Sequence, residues 1–483
     1  MTETKLFIQK LFRKYNVVIP SGREELFDKF ANDNVNIVEQ IRVFYDIIMK
    51  DWKLQNRIYE IKNQSIVIPN GRVGEFYQAK IDLAKWKLTD LSFAAFETVP
   101  ETGLSFDTET GSIVGTPVKN GDFKFKFLFR VKGEPDDRPP HEKQVLIVIN
   151  PDPKTLWKNL PSGKKALFWK KDNNASYNQL GEKCILAASK RGRSHQNIGS
   201  FRDDDFAYAH IEKNGWSVVA VADGAGSYAL SRKGSQVACN TIVEYFQQTG
   251  DLDVNQELET QMQEFIRTKD EAALKQVENL SKQILYKATV TTHNKIKEIA
   301  TEIHTQRPEI FNNPKAKNVL DYFHTTLIFA LFKKYDCGYL ILTFGVGDCP
   351  IAVMNKEKTE TKLLNWLDVG EFGGGTRFIT QPEIFRSKEH PMATRFNCHI
   401  CSDFSYLFLM TDGIYDPKFV VEANLEKHEK WLEFLADLQG KNEENINIFE
   451  PAPVNLYSTR RLLHWLDFWD KGNHDDRTLA IVF

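Results

Sequence analysis

Cysteine is scarce in this chain: six in 483 residues, at positions 184, 239, 337, 349, 398 and 401, without the spacing of a disulfide framework. That excludes a small secreted scaffold held by disulfides. Cys398-His399-Ile400-Cys401 has no second pair to complete a zinc site and no thioredoxin-like surroundings. No stretch approaches the ~18 apolar residues of a membrane span. The N-terminus mixes charged with apolar residues and lacks the apolar core of a signal peptide. Charge of one sign is missing as well: a formal net charge of −2 gives no electrostatic handle for nucleic acid or an anionic membrane. There is no internal repeat and no low-complexity tract. A cytoplasmic setting is expected, with neither a nucleic-acid nor a membrane partner. What is present is ordinary globular composition, 42% hydrophobic and 27% charged, long enough for about two to four domains.

Four segments follow one another. Residues 1–62 read as helical, with a partial apolar stripe at Leu6, Ile8, Leu11 and Phe12 and a stronger one through Val38, Ile41, Phe44 and Ile48. Residues 65–150 change character. A Gly/Thr/Ser/Pro-rich stretch precedes Phe123, Phe125, Phe127 and Phe129, whose period of two places all four rings on one face of a strand. Residues 151–183, with Pro151, Pro153 and Pro161, read as linker, and Lys164, Lys165, Lys170 and Lys171 read there as a solvated basic face. Residues 184–483 form the last domain; within it a charged, Gly-free stretch to Arg307 reads as helix.

The last domain carries the chemistry. Val218-Val219-Ala220-Val221-Ala222 and Tyr406-Leu407-Phe408-Leu409-Met410 are apolar runs of buried-strand type. The first leads into Asp223-Gly224 and the second into Thr411-Asp412-Gly413. A third strand opens into Gly345-Val346-Gly347-Asp348, and Asp475-Asp476-Arg477-Thr478 precedes the final apolar run. One Asp-Gly alone could be a hairpin turn. Several strand-end carboxylates in one domain are what an oxygen-ligand metal centre requires.

In order, Asp223-Gly224-Ala225-Gly226-Ser227, Thr325-Thr326-Leu327, Gly345-Val346-Gly347-Asp348, Thr411-Asp412-Gly413-Ile414-Tyr415-Asp416 and Asp475-Asp476-Arg477-Thr478 resemble the metal-dependent type 2C (PPM) Ser/Thr protein phosphatases. Arg191-Gly192-Arg193-Ser194-His195 and Gly370-Glu371-Phe372 resemble the bacterial branch. Gly103-Leu104-Ser105-Phe106-Asp107, with Thr110 through Pro117, resembles putative immunoglobulin-like domains of bacteria. Together these imply a multidomain chain: a helical N-terminal segment, a small Ig-like β-sandwich, and a four-layer αββα phosphatase domain with a central antiparallel β-sandwich.

The resemblance implies a protein serine/threonine phosphatase that hydrolyses phosphoesters through a water activated by two Mn²⁺ or Mg²⁺ ions, with a third ion in some bacterial relatives. It implies that Asp223 bridges the ions, that the Gly224 carbonyl binds one, and that Asp412 and Asp475 bind the other. Asp203 and Asp204 fall at the family's acidic pair, although the register among Asp203, Asp204 and Asp205 is open by one residue; Asp348 orients water or helps to hold a third ion. Ala225 stands where many relatives have a proton-donating His, so the general acid is either His195 or a water. Arg193 and Arg202 both stand as candidates for the phosphate clamp, Arg193 being preferred. The implied partner is a phosphoprotein, for instance the target of a cognate kinase, docked through the Ig-like domain. The rival readings are a pseudophosphatase scaffold, disfavoured because Asp223, Asp412 and Asp475 are all present, and a phosphoesterase for small molecules.

Overall fold

The computed structural model describes residues 2–98, 100–248, 253–368, 375–388, 390–450, 454 and 456–483. The Gly370-Glu371-Phe372 segment lies outside them. The chain divides into two compact units, Met1–Leu156 and Trp157–Phe483.

The first unit begins with α1 (Glu3–Lys14), α2 (Glu24–Asp33) and α3 (Val35–Asn63). Thr2 caps α1, its hydroxyl accepting from the Lys5 N–H, with Glu3 in the first turn and Arg13 and Lys14 in the last, as the helix dipole favours. Ile8, Phe27, Ala31 and Val38 bury one another where these helices meet. Seven strands follow: β1 (Gly71–Arg72), β2 (Tyr77–Lys80), β3 (Leu91–Glu97), β4 (Leu104–Asp107), β5 (Ser112–Gly115), β6 (Gly121–Val131) and β7 (His141–Asn150). They form a four-stranded sheet, β1-β7-β6-β3, and a three-stranded sheet, β2-β5-β4. On β6 the period-two face is the core face: Phe125, Phe127 and Phe129 are fully buried, and Phe123 is partly so. Ile58 and Ile61 of α3 belong to that same core, so the end of the third helix is built into the sheet layer.

The second unit starts earlier than the sequence suggests. Residues 173–180, assigned above to a linker, form β8 (Asn173–Leu180), an edge strand hydrogen-bonded along β9 (Lys183–Lys190). Its sequence, Asn-Asn-Ala-Ser-Tyr-Asn-Gln-Leu, is too polar to announce a strand; pairing with a buried neighbour makes it one. Then come α4 (Arg193–Ile198), β10 (Asp205–Ile211), β11 (Trp216–Ala222), α5 (Ser231–Gln248), α6 (Asp253–Thr268), α7 (Glu271–Gln306), β12 (Leu327–Tyr335), β13 (Gly338–Val346), β14 (Ile351–Asn355), β15 (Thr361–Leu363), β16 (Phe396–Cys401), β17 (Phe404–Met410), α8 (Asp412–Phe419), α9 (His428–Leu438), α10 (Leu456–Trp465) and β18 (Arg477–Val482). One sheet runs β10-β11-β12-β13-β16, the other β15-β14-β17-β18-β9-β8.

Their inner faces share a core that includes Val219, Val221, Ile328, Leu407, Leu409 and Ala480. The alternate residues point outward. Val218, Ala220 and Phe329 pack with Ile242 of α5 and Leu285 of α7 on one side. Phe408, Met410 and Ile481 pack with Ile414, Trp431 and Leu462 from α8, α9 and α10 on the other. Strands buried on both faces read as continuous apolar runs, which is why β11 and β17 stand out in the sequence. The four layers are helices, sheet, sheet, helices.

Candidate metal centre

Antiparallel pairing gathers the strand ends that carry acid. Asp205 pairs with Ala222, so the start of β10 lies beside the end of β11. Met410 pairs with Leu479, and Arg477 with Lys190, so the end of β17, the start of β18 and the end of β9 lie together. Asp203, Asp204, Asp223, Asp348, Asp412 and Asp475 all sit within two residues of such ends.

The turn after β11 is held rigidly. The Asp223 N–H donates to Thr326 Oγ1 at 2.9 Å, and its carbonyl accepts from Thr325 Oγ1 and the Thr326 N–H, both at 2.8 Å. Gly224 is required by close approach and not by a left-handed backbone: a Cβ there would lie 2.6 Å from the Asp203 carbonyl oxygen. Gly413 meets the Asp476 carbonyl oxygen in the same way.

The carboxylates face one another. Burial, then the charges of Asp412, Asp204, Asp475 and Asp348, push Asp223 well above the usual carboxylate range. Burial and the charges of Asp348 and Asp475 do the same to Asp412. Burial and Asp476 raise Asp204 to about 8, although its Oδ2 accepts from Thr478 Oγ1 at 2.7 Å and Thr411 Oγ1 at 2.9 Å. Asp203 is pushed up to about 7, mostly by burial and Asp476. Asp475 and Asp348 are raised, principally by burial. Asp348 Oδ2 accepts from Thr376 Oγ1 at 2.7 Å.

Beneath this cluster lies a second group of charges with a different task. Asp476 Oδ1 accepts from the Gly192 N–H at 2.6 Å and from His195 Nδ1 at 3.0 Å, while its Oδ2 accepts from the Asp203 N–H. Burial opposes its charge, but His195 with the Gly192 and Asp203 N–H groups holds Asp476 below the usual range. Asp205 is likewise engaged, 3.0 Å from Lys170 Nζ and 3.6 Å from the Arg202 guanidinium. Lys170 is therefore no solvated cation. It is buried, and its ammonium also donates to the Asp204 carbonyl at 2.7 Å and to Ser235 Oγ at 3.2 Å. Among the three adjacent acids, Asp205 is tied to these cations, whereas Asp203 and Asp204 face the cluster.

His195 lies against it. Its Nε2 is 3.8 Å from Asp203 Oδ2 and 3.2 Å from where a Cβ on Gly226 would stand. Burial works against its charge, but Asp476, Asp203 and Asp475 together raise the imidazole to about 10. The arginines are occupied elsewhere. Arg193 donates to the Asp467 carbonyl at 2.7 Å, pairs with the Asp467 carboxylate at 3.1 Å and stacks over Trp469. These contacts turn it to Asp467 and not to the carboxylates, which corrects the expectation of a phosphate clamp. Arg202 is buried and donates to Ser189 Oγ at 2.7 Å and to the Lys171 carbonyl at 3.0 Å, which makes it a brace of the acidic loop. Cys349, next to the Gly345–Asp348 motif but not part of it, is buried and offers its sulfur within 4.8 Å of carboxylate oxygens of Asp223 and Asp348; Asp476, the second acid of the closing motif, brings a carboxylate oxygen equally close to His195 and Asp203.

The donor set fits a hard divalent cation. Asp203 Oδ1 and Asp412 Oδ1 are buried without a hydrogen-bond partner, and a buried carboxylate oxygen left so is costly. Carboxylate and carbonyl oxygens are the ligands that Mg²⁺ and Mn²⁺ prefer, and a bound cation reverses the repulsion that lifts these acids. The carboxylates of this cluster, Asp223, Asp412, Asp475, Asp203, Asp204 and Asp348, are the groups that could hold one.

No curated protein matches the chain. Solved structures similar to it include a serine/threonine phosphatase from S. agalactiae, 14% identical, covering 64% of this chain and 99% of that one with a TM-score of 0.33. Another is a serine/threonine phosphatase from Staphylococcus aureus, 13% identical, covering 66% and 98% with a TM-score of 0.32. A bacterial serine phosphatase is 14% identical over 62% and 96%, with a TM-score of 0.31. Residues 191–454 match the family model described as protein phosphatase 2C. With more than half of its length so matched, the chain belongs to the protein phosphatase 2C family.

Proposed function

We propose that this chain is a protein serine/threonine phosphatase whose Mn²⁺ or Mg²⁺ ions are held by Asp223, Asp412 and Asp475 with the Gly224 carbonyl, and whose site is completed by Asp203, Asp204 and Asp348. The observation that carries the reading is a set of mutually repelling buried carboxylates with unpartnered oxygens at Asp203 and Asp412. Bound there, divalent cations would neutralise phosphoryl oxygens and supply an acidified water. Asp223, at the centre of the repulsion, would be the carboxylate that contributes most to holding the cations. His195 is the proton donor to the leaving oxygen: its Nδ1 is fixed by Asp476, and its Nε2 lies against Gly226, the residue after Ala225. The Asp476 carboxylate on Nδ1 favours the protonated ring against the cost of burial.

The partner is a phosphoprotein in a bacterial cytoplasm, for instance the target of a cognate kinase. The two small sheets of the first unit are of Ig-like type and serve to dock that partner. No helix among the described residues is long and apolar enough to cross a membrane.

The test is Mn²⁺-dependent release of phosphate from a phosphoserine peptide by the full chain and by Asp223→Asn. A loss of at least about 10²-fold with circular dichroism retained supports the reading. Unchanged turnover in Asp223→Asn contradicts it. Hydrolysis of a small phosphoester but not of the peptide transfers the activity to small molecules.

A further inference from the structure

The second unit holds another polar cavity, of about 190 Å³, where the end of β9 meets the start of α4. Lys158, Lys190, Arg191 and Arg193 line it against two acids, Asp172 and Asp467. Both acids are already shared. Asp467 Oδ1 lies 3.1 Å from Arg193 and 3.3 Å from Lys190, and Asp172 Oδ2 lies 3.3 Å from Arg191. The lining keeps an excess of two positive charges.

Its donors are also incompletely used. The Arg191 side chain is only 2% exposed. Its outer nitrogens are fixed on the Ser200 and Leu160 carbonyls, each at 2.7 Å, but its Nε has no acceptor. Arg193 Nε is buried and without an acceptor too. Those two N–H groups are closed off from solvent, so the donors left to an anion in the cavity are the ammonium groups of Lys158 and Lys190, whose charge-assisted bonds to a phosphoryl oxygen suit the positive lining. The space admits a tetrahedral oxyanion with a few waters, each water taking ~30 Å³. The cavity adjoins an open cleft that includes Ser194, His474 and Asp475. Trp157 packs on His474 at 4.5 Å between ring centres, and Arg193 stacks on Trp469, so the two spaces share a wall.

We propose that this cavity binds a phosphoryl dianion, separately from the carboxylate cluster. The dianion is either free orthophosphate or the second phosphate of a multiply phosphorylated chain seated in the cleft; only the latter source rests on the phosphatase reading.

Calorimetric titration of orthophosphate into the EDTA-treated full chain tests it, because the bare carboxylate cluster repels an anion. Saturable binding at one site is expected, weakened about tenfold in Lys190→Gln, as befits loss of one charge-assisted bond. Lys158→Glu, on the exposed side, should weaken it without disturbing the fold, and Lys124→Gln in the first unit should change nothing. Absence of saturable binding up to about 20 mM phosphate overturns the proposal, as does binding that is equal in wild type, Lys190→Gln and Lys158→Glu. Hydrolysis is not read, so failure of the phosphatase assignment leaves this result standing. With metal restored, a lower KM for a doubly than for a singly phosphorylated peptide, abolished in Lys190→Gln, identifies the second phosphate as the occupant. Equal KM values together with orthophosphate binding identify the free anion.

Discussion

The acids of the two units live under opposite rules. In the first unit Asp90 accepts from Arg57 at 2.7 and 2.9 Å, and that bond holds its pKa below the usual value. Asp107 accepts from the Thr110 hydroxyl and the Glu109 N–H and is lowered for that reason. Each of these acids is answered by the chain itself. In the second unit Asp223 and Asp412 are buried among other acids and pushed well up. A fold that only had to be stable would pair or lose them, and one that accepts such repulsion keeps it for a ligand. The same division recurs inside the second unit between adjacent residues: Asp475 is raised with the cluster, while Asp476 is lowered by His195 and two backbone donors.

The largest effect is expected at Asp476. Asp476→Ala leaves protonated His195 and the Gly192 and Asp203 N–H groups without their acceptor, and removal of one partner of a buried pair costs about 3–5 kcal/mol. Urea denaturation of the metal-free protein should register that loss for Asp476→Ala and little or none for Asp475→Ala. Equal losses would erase the distinction between the two acids.

Next comes Asp412→Asn, which removes a like charge from the cluster. Hydrolysis should fall about 10²-fold, while the metal-free melting temperature holds or rises because one source of repulsion is gone. A variant less stable than wild type without metal would mean that Asp412 is a structural acid like Asp90.

A smaller effect follows from protonation. Asp203 is raised to about 7 and Asp204 to about 8, against ~4 in the unfolded chain. Between those limits the folded protein binds protons that the unfolded chain has released. The contribution of these acids to stability is complete below pH ~4 and is lost as pH rises through 7 to 8. Added Mn²⁺ displaces the same protons. The rise in melting temperature on adding Mn²⁺ should therefore grow from pH 5.5 to pH 8; a constant rise would place the ion away from these carboxylates.

The smallest change is expected from removing the first unit. A fragment of residues 157–483 should hydrolyse a small phosphoester within about twofold of the full chain, since compact units of this kind fold independently. A fragment beginning at 174 lacks Lys170, which donates to the Asp204 carbonyl and pairs with Asp205, and should be less stable and less active. Equal activity of the two fragments would dismiss Lys170 as a brace.

Which parts of this are legible in the sequence has a physical basis. The doubly buried strands β11 and β17 are apolar on both faces, so they and the Asp-Gly steps after them announce themselves locally. The Phe face of β6 is legible for a different local reason, its alternation of buried rings with more exposed residues at a period of two. Polar β8 is invisible until β9 pairs with it. The division of Asp203, Asp204 and Asp205 into cluster-facing and braced acids depends on Lys170 and Arg202, and no local pattern predicts which carboxylate a buried ammonium will meet. Arg193 departs from its expected role for a related reason: a charge near a motif is tied to that motif only if no nearer acid claims it, and Asp467, far along the chain, does. Ion pairing is decided by tertiary proximity, and hydrophobic periodicity by neighbours in sequence.

Titration of Mn²⁺ into the metal-stripped full chain, followed by calorimetry at pH 7.5, tests the central claim that the repelling carboxylates are a cation site. The account predicts proton-releasing binding of at least two ions to the wild type, collapsing at both sites in Asp223→Asn and weakened in Asp412→Asn. Mn²⁺ binding that is absent, or present and unaltered by Asp223→Asn, would contradict it.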